Sequence, residues 1–284
     1  MEDDPVADNP ASTGLTTADG ISLFCRWWTS PQSPRAALAV VHGLGEHSGR
    51  YERLGQHFSR RLFSVFAVDL RGHGRSAGKR GHINQFSDYH HDVQVLIDFA
   101  HQETPDVPIF LLGHSLGGLI TLHYALHHPD GLASVITSGA ALRETIHPPF
   151  WKVMLGKMMS ALYPDFSLQT GLKVSALCHD QAVIDAYVAD PLVHDRVTAR
   201  FYREYLLAAA WTLEEAVTLS LPALLLHGER DALTDPAGSH DFYERIGLED
   251  KRYLAYPGLY HEIFNEPSYE EIFNDIEAWL VPRL

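Results

Sequence analysis

Short apolar runs rich in β-branched residues recur along the chain: AALAVV (36–41), SVFAV (64–68), IFLL (109–112), ASVIT (133–137), ALLL (223–226) and YLAY (253–256). Stretches with helical spacing lie between them, near 49–61, 88–102, 116–128, 237–246 and 268–280. Continuous apolar runs mark strands covered on both faces, and strands separated by helices pair in parallel. An earlier pair, near 13–17 and 21–28, alternates more and reads as an antiparallel edge hairpin. The pattern predicts an α/β fold with a central, mostly parallel sheet of eight strands flanked by helices.

One interval breaks this rhythm. From about Ala141 to Leu219 the chain reads helical or irregular, far longer than the roughly two to six residues of an ordinary connection. It is expected to be a helical insertion, 141–219, carried by a core made of 1–140 and 220–284. Within it, PPFWKVMLGKMMSALY (148–163) gathers Met154, Met158 and Met159 beside Phe150, Trp151, Leu155, Leu162 and Tyr163. On a helix, Lys152, Gly156, Lys157 and Ser160 share one arc, and the apolar face is wider than docking on a single core requires.

Composition narrows the field. A length of 284 residues suits one large domain or a core with an insertion, and 45% hydrophobic residues are ample for a buried core. A formal charge of −14 excludes a nucleic-acid partner, which needs a basic face, and disfavours adsorption on an anionic membrane by charge alone. Cys25 and Cys178 form no metal or redox spacing and are expected to be buried free thiols. The acidic, polar start MEDDPVADNPASTG does not read as a secretion signal, and no stretch of about 18 or more apolar residues is present. A cytoplasmic location is expected.

The chemistry is most legible in IFLLGHSLGG. Gly113-His114-Ser115-Leu116-Gly117 fits G-x-S-x-G between a buried strand and an apolar helix, a turn so sharp that its flanking positions have no room for side chains. Ser115 then projects from the top of the sheet, with the positive end of a helix behind it. A serine hydroxyl needs a base. In this arrangement an acid and a histidine follow on loops after later strands. Asp231 follows ALLLHG, and His261 lies five residues beyond YLAY. Asp231 would fix the imidazole tautomer and His261 would move the proton. The loop His42-Gly43-Leu44-Gly45 supplies an oxyanion hole from the N–H of Leu44, joined by that of Leu116.

Rival assignments are weaker. Asp235 precedes Pro236 and suits a helix N-cap better than a catalytic acid. His123 and His127 stand four apart on a helix, but HYALH lacks the glutamate of H-E-x-x-H, so no metal and no cofactor is expected. DLRGHGRSAGKRGH (69–82) carries Arg71, Arg75, Lys79 and Arg80 yet is neither G-x-G-x-x-G nor a P-loop; it reads as a tight loop with solvated charges that could attract an acidic head group.

Taken in order, HGLGEHSGRYE, DLRGHGRSAGKRG, GHSLGG, DPLVH, HGERDALTDPAGS and YPGLYHEIFNEP resemble the monoacylglycerol lipases of the serine α/β-hydrolase superfamily, from about residue 20 to the C-terminus. The resemblance implies the α/β-hydrolase fold with a mobile helical cap after strand six. It implies Ser115 as nucleophile, Asp231 as acid, His261 as base, and Leu44 and Leu116 as oxyanion donors. It further implies that Glu46 and Arg50 order the polar end of the substrate pocket near the glycerol. The expected reaction is hydrolysis of a monoacylglycerol to fatty acid and glycerol through an acyl-enzyme. A lysophospholipase or general carboxylesterase is the alternative. The methionine-rich segment is then expected to be a lid, with Met154 and Met158 against the acyl chain. The expected partners are a small lipid and, transiently through the cap, a membrane surface, so that the cytoplasmic protein is peripherally membrane-associated; a monomer or homodimer is expected.

Overall fold

The computed structural model describes residues 10–145, 160 and 162–284. Met154 and Met158 lie outside the described residues. The strands are β1 (Ala11–Thr16), β2 (Ser22–Trp28), β3 (Ala36–Val41), β4 (Phe63–Val68), β5 (Ile109–His114), β6 (Ser134–Ser138), β7 (Ser167–Gln169), β8 (Arg196–Thr198), β9 (Ala223–Gly228) and β10 (Lys251–Tyr256). The helices are α1 (Glu52–Ser59), α2 (Asp88–Glu103), α3 (Leu116–His127), α4 (Gln181–Ala189), α5 (Ala199–Glu215), α6 (Pro236–Arg245) and α7 (Tyr269–Leu280).

Eight strands among the described residues form one sheet in the order β1-β2-β4-β3-β5-β6-β9-β10. The β1–β2 hairpin is antiparallel, in a register that sets Ala11 opposite Trp27, and β2 joins β4 antiparallel. From β4 to β10 every pairing is parallel. All six residues of β3, β4, β5 and β9 are buried, which is why those runs carry no polar alternation.

The side chains of β3 show how one strand serves two cores. Ala37, Ala39 and Val41 join a cluster with Val93 and Leu96 of α2, Leu119 of α3 and Phe242 of α6. Ala36, Leu38 and Val40 face Leu54 and Phe58 of α1 and Phe273 and Ile276 of α7. Alternate residues point to opposite faces, so each layer of helices receives half of every central strand.

Between β6 and β9 lie β7, α4, β8 and α5. The β7–β8 pair is a separate antiparallel ribbon of three residues a side. Helix α5 buries Phe201, Tyr205, Ala208 and Ala209 in the same cluster as α2 and α3, whereas α4 has no buried residue. The interval thus holds one helix that belongs to the core packing and one that stands outside it.

Candidate active site

The strand-to-helix turn after β5 is sterically tight. A Cβ on Gly113 would lie 2.1 Å from the Gly117 carbonyl oxygen, and one on Gly117 would lie 2.1 Å from the Val41 oxygen. Only glycine lets α3 press against the end of β3. Ser115 between them has φ 55° and ψ −118°, a region an L-residue enters only under strain. Tertiary hydrogen bonds hold it there: its N–H donates to the Ser138 oxygen at 2.9 Å, and its oxygen accepts from Leu119 N at 3.1 Å and Ala141 N at 3.0 Å. Ser115 itself remains partly exposed while its neighbours are buried.

The loops after β9 and β10 bring Asp231 and His261 together. His261 Nδ1 donates to Asp231 Oδ2 at 2.6 Å, both side chains being buried. That bond fixes the tautomer with a lone pair on Nε2. Asp231 is more heavily held than the sequence suggests. Its Oδ1 accepts from Leu233 N (2.8 Å) and Thr234 N (2.9 Å), and its Oδ2 from Thr234 Oγ1 (2.8 Å) and His227 Nε2 (3.1 Å). Burial alone would raise its pKa, but His261, His227 and these donors hold the carboxyl far below the usual range. Burial pushes the His261 imidazole down, yet the Asp231 carboxylate prevails and the pKa lies above the ordinary 6.5. Asp235 caps α6 through Ala237 N at 2.9 Å, the structural role its proline suggested.

The loop after β3 carries Leu44. Neither the Leu44 nor the Leu116 N–H has a hydrogen-bond acceptor among the described residues. Beneath them lies a buried charge network. Glu46 Oε1 accepts from Gly43 N at 2.6 Å and from the Tyr51 hydroxyl at 2.8 Å, while Oε2 accepts from Arg50 Nη1 at 2.7 Å. Arg50 also grips Glu262 bidentately at 2.6 and 2.7 Å. Burial opposes ionisation of both carboxyls, but Arg50 overrides it and holds each below the ordinary range. The loop with Leu44 and the loop with His261 are therefore tied through one guanidinium. Sequence reasoning singled out Glu46 and Arg50 but not their partners Glu262 and Tyr51, nor Thr234 and His227 beside Asp231. Adjacency to His261 was the available signal for Glu262.

The basic side chains of the loop 69–82 make contacts within the protein, two of them at the surface. Arg71 pairs with Asp92 (2.8 Å) and Asp19 (2.8 Å), Arg80 donates to the Gly74 oxygen (2.7 Å), Arg75 lies over the Phe24 ring (5.0 Å) and Lys79 pairs with Asp165 (3.0 Å). The expectation of solvated charges needs correcting for Arg71, which is buried because Asp92 and Asp19 neutralise it. Near the site, the interval between β6 and β9 also makes polar contacts with the core, besides the apolar packing of α5. His47 Nε2 bonds Asp190 Oδ2 at 2.9 Å, His194 N donates to the Gly45 oxygen at 2.9 Å, and the Arg50 guanidinium lies over the Tyr187 ring at 4.8 Å.

A mostly parallel eight-stranded sheet with a strained serine at the turn after its central strand defines an α/β-hydrolase. Residues 32–268 match the family described as serine aminopeptidase, S33, and the chain belongs to that family. It is 34% identical over 268 residues to a monoacylglycerol lipase of Mycolicibacterium smegmatis, covering 93% of this chain and 95% of that one. It is 35% identical to the human monoglyceride lipase, covering 95% of this chain and 90% of that one. The crystal structure of Paleococcus ferrophilus monoacylglycerol lipase superposes with a TM-score of 0.84 at 35% identity, covering 92% of this chain and 99% of that one. The family description names a peptidase, while these three relatives are lipases. No helix among the described residues is long and apolar enough to cross a membrane.

Proposed function

We propose that this chain hydrolyses the ester bond of monoacylglycerols, releasing a fatty acid and glycerol through an acyl-enzyme on Ser115. Ser115 Oγ attacks the ester carbonyl as its proton passes to His261 Nε2. The oxyanion that forms accepts hydrogen bonds from the N–H groups of Leu44 and Leu116. Collapse breaks the ester C–O bond, and His261 returns its proton to the departing glycerol oxygen. A water molecule then attacks the acyl-serine, His261 taking its proton, and the second collapse frees the fatty acid and restores Ser115. Asp231 keeps the imidazole in the tautomer this needs and stabilises its positive charge. The 2.6 Å contact between His261 Nδ1 and Asp231 carries this reading, in a chain so similar to the lipases above.

Glu46 and Arg50 hold the oxyanion loop and the His261 loop in register and so order the polar end of the pocket, where the glycerol portion sits. Residues 141–219 serve as the cap. The side chains of Leu162 and Leu168, 64% and 58% exposed, support a transient contact of this cap with a lipid surface. Such contact suits a cytoplasmic enzyme that visits membranes peripherally. In the loop 69–82 Arg71 is buried in its ion pairs and Arg80 donates to Gly74, which leaves the exposed Arg75 and Lys79 as the groups a phosphate head group could meet.

Ser115→Ala is expected to lower monoacylglycerol hydrolysis on the order of 10⁴-fold or more with an unchanged melting temperature. Activity surviving in that variant would sink the assignment. Paired assays on a monoacylglycerol and a lysophosphatidylcholine check the substrate, and turnover of the phospholipid alone would replace the proposal by the lysophospholipase reading.

A further inference from the structure

Helix α3 runs away from Ser115 and ends in a cluster of histidines. His123 and His127 lie one turn apart on it, and His90 reaches them from the first turn of α2. One nitrogen of each of these three rings lies within 4.8 Å of the others. His90 Nε2 and His123 Nδ1 are 2.7 Å apart, and the His127 ring is 5.1 Å from His90 and 4.7 Å from His123, centroid to centroid. His127 Nδ1 bonds the His123 carbonyl oxygen at 2.8 Å, which leaves Nε2 as its available ligand atom. Trp211 of α5 stacks on His127 with centroids 4.4 Å apart and touches His123 at 4.8 Å.

We propose that His90, His123 and His127 form a binding site for a divalent transition-metal ion of the zinc, copper or nickel class. Imidazole is the ligand these ions share. Two nitrogens on a tetrahedral ion stand roughly 3.3 Å apart, so the rings need only small rotations from their present spacing. His90 and His123 are buried while His127 is exposed, which leaves an entry path and a position for water as fourth ligand. In the sequence the His123 and His127 pair is set aside because HYALH lacks the glutamate of H-E-x-x-H, and that helix alone offers only two imidazoles. His90 supplies a third from a helix 33 residues away.

The site is separate from the triad and needs no part of the hydrolytic chemistry. An ion there would tie α2 to α3 beneath α5, and it would raise the melting temperature by mass action. The test is titration of metal-stripped protein with zinc chloride, followed by calorimetry, and with nickel chloride, followed by tryptophan fluorescence. One equivalent of zinc should bind with a rise in melting temperature, and nickel should quench the fluorescence of Trp211. His127→Ala, at an exposed position, should weaken zinc binding at least about tenfold, and His123→Gln should remove it. Trp211→Phe should keep the zinc isotherm and lose most of the nickel quenching. Absence of a saturable site in the wild type, or binding unchanged in His127→Ala and His123→Gln, would overturn the proposal. His240→Ala, a histidine elsewhere on the surface, should change nothing.

Discussion

Helices α4 and α5 are neighbours in the same interval of the chain, and the structure treats them oppositely. Helix α5 buries Phe201, Tyr205, Ala208, Ala209 and Thr212, packing on α3. Helix α4, QAVIDAYVA, is the more apolar in sequence yet buries nothing. Its Val188 is 69% exposed, and Tyr187 reaches the core by lying over Arg50. An apolar helix that contributes nothing to the core carries hydrophobic surface for another purpose. Under the function proposed above, that purpose is to face lipid. Under that proposal α5 supplies stability and α4 supplies substrate contact, above the floor that carries Ser115, Asp231 and His261.

The largest effect that would break this division is on α5. Phe201→Ala should cost about 3–5 kcal/mol and lower the melting temperature by roughly 6–20 °C. A change of only a degree or two would mean that α5 is as loosely held as α4. Next comes the joint between α4 and the floor. Arg50→Met leaves the buried carboxylates of Glu46 and Glu262 uncompensated, a loss of about 3–5 kcal/mol at neutral pH. Arg50 now holds both carboxyls below the ordinary range, so in the wild type this stability is present above that range and lost as pH falls through their lowered values. Without Arg50 burial favours their protonated forms, so the deficit should shrink from pH 8 to pH 5. Thermal melts of the two proteins across that range give the answer, and a deficit independent of pH would count against ionised carboxylates.

The floor itself is sharpened by a pH profile. His261 must be neutral to accept the Ser115 proton, and its pKa is raised above 6.5 by Asp231. The rise of kcat/KM should therefore be centred above pH 6.5. By the same sign, the stability gained from the charged His261–Asp231 pair is full below the unfolded value and fades as pH rises through the raised one. Asp231→Asn should drop the centre of the rise, since burial then acts unopposed, and lower kcat about 10⁴-fold. The smallest effect on stability is expected on α4. Val188→Ser should change stability by less than about 0.5 kcal/mol, while kcat/KM falls more for long-chain than for short-chain monoacylglycerols. Equal loss on both chain lengths would remove α4 from the acyl path.

How much of this could be read in advance follows the range of the forces. The strands, the helices beside them and the turn at Ser115 rest on interactions within a few residues. Periodicity shows which faces are buried, and Gly113 and Gly117 report a turn that tolerates no Cβ. The order of Ser115, Asp231 and His261 was legible because each ends a recognisable strand or follows one closely. Glu262 was not, because its partner Arg50 is 212 positions away and no local pattern pairs them. Likewise nothing within AYVA or FYREYLLAAA says which helix the core will accept.

The sequence by itself thus determined the architecture of the sheet and singled out the candidate reacting groups, because short-range sterics and side-chain period suffice for both. The tertiary structure decided which charges are tied together, which apolar helix is left uncovered, and that His90 stands beside His123 and His127. Those outcomes depend on how the sheet and its layers bring distant segments together, and a buried charge or an imidazole acquires its chemistry only from the neighbours it then meets.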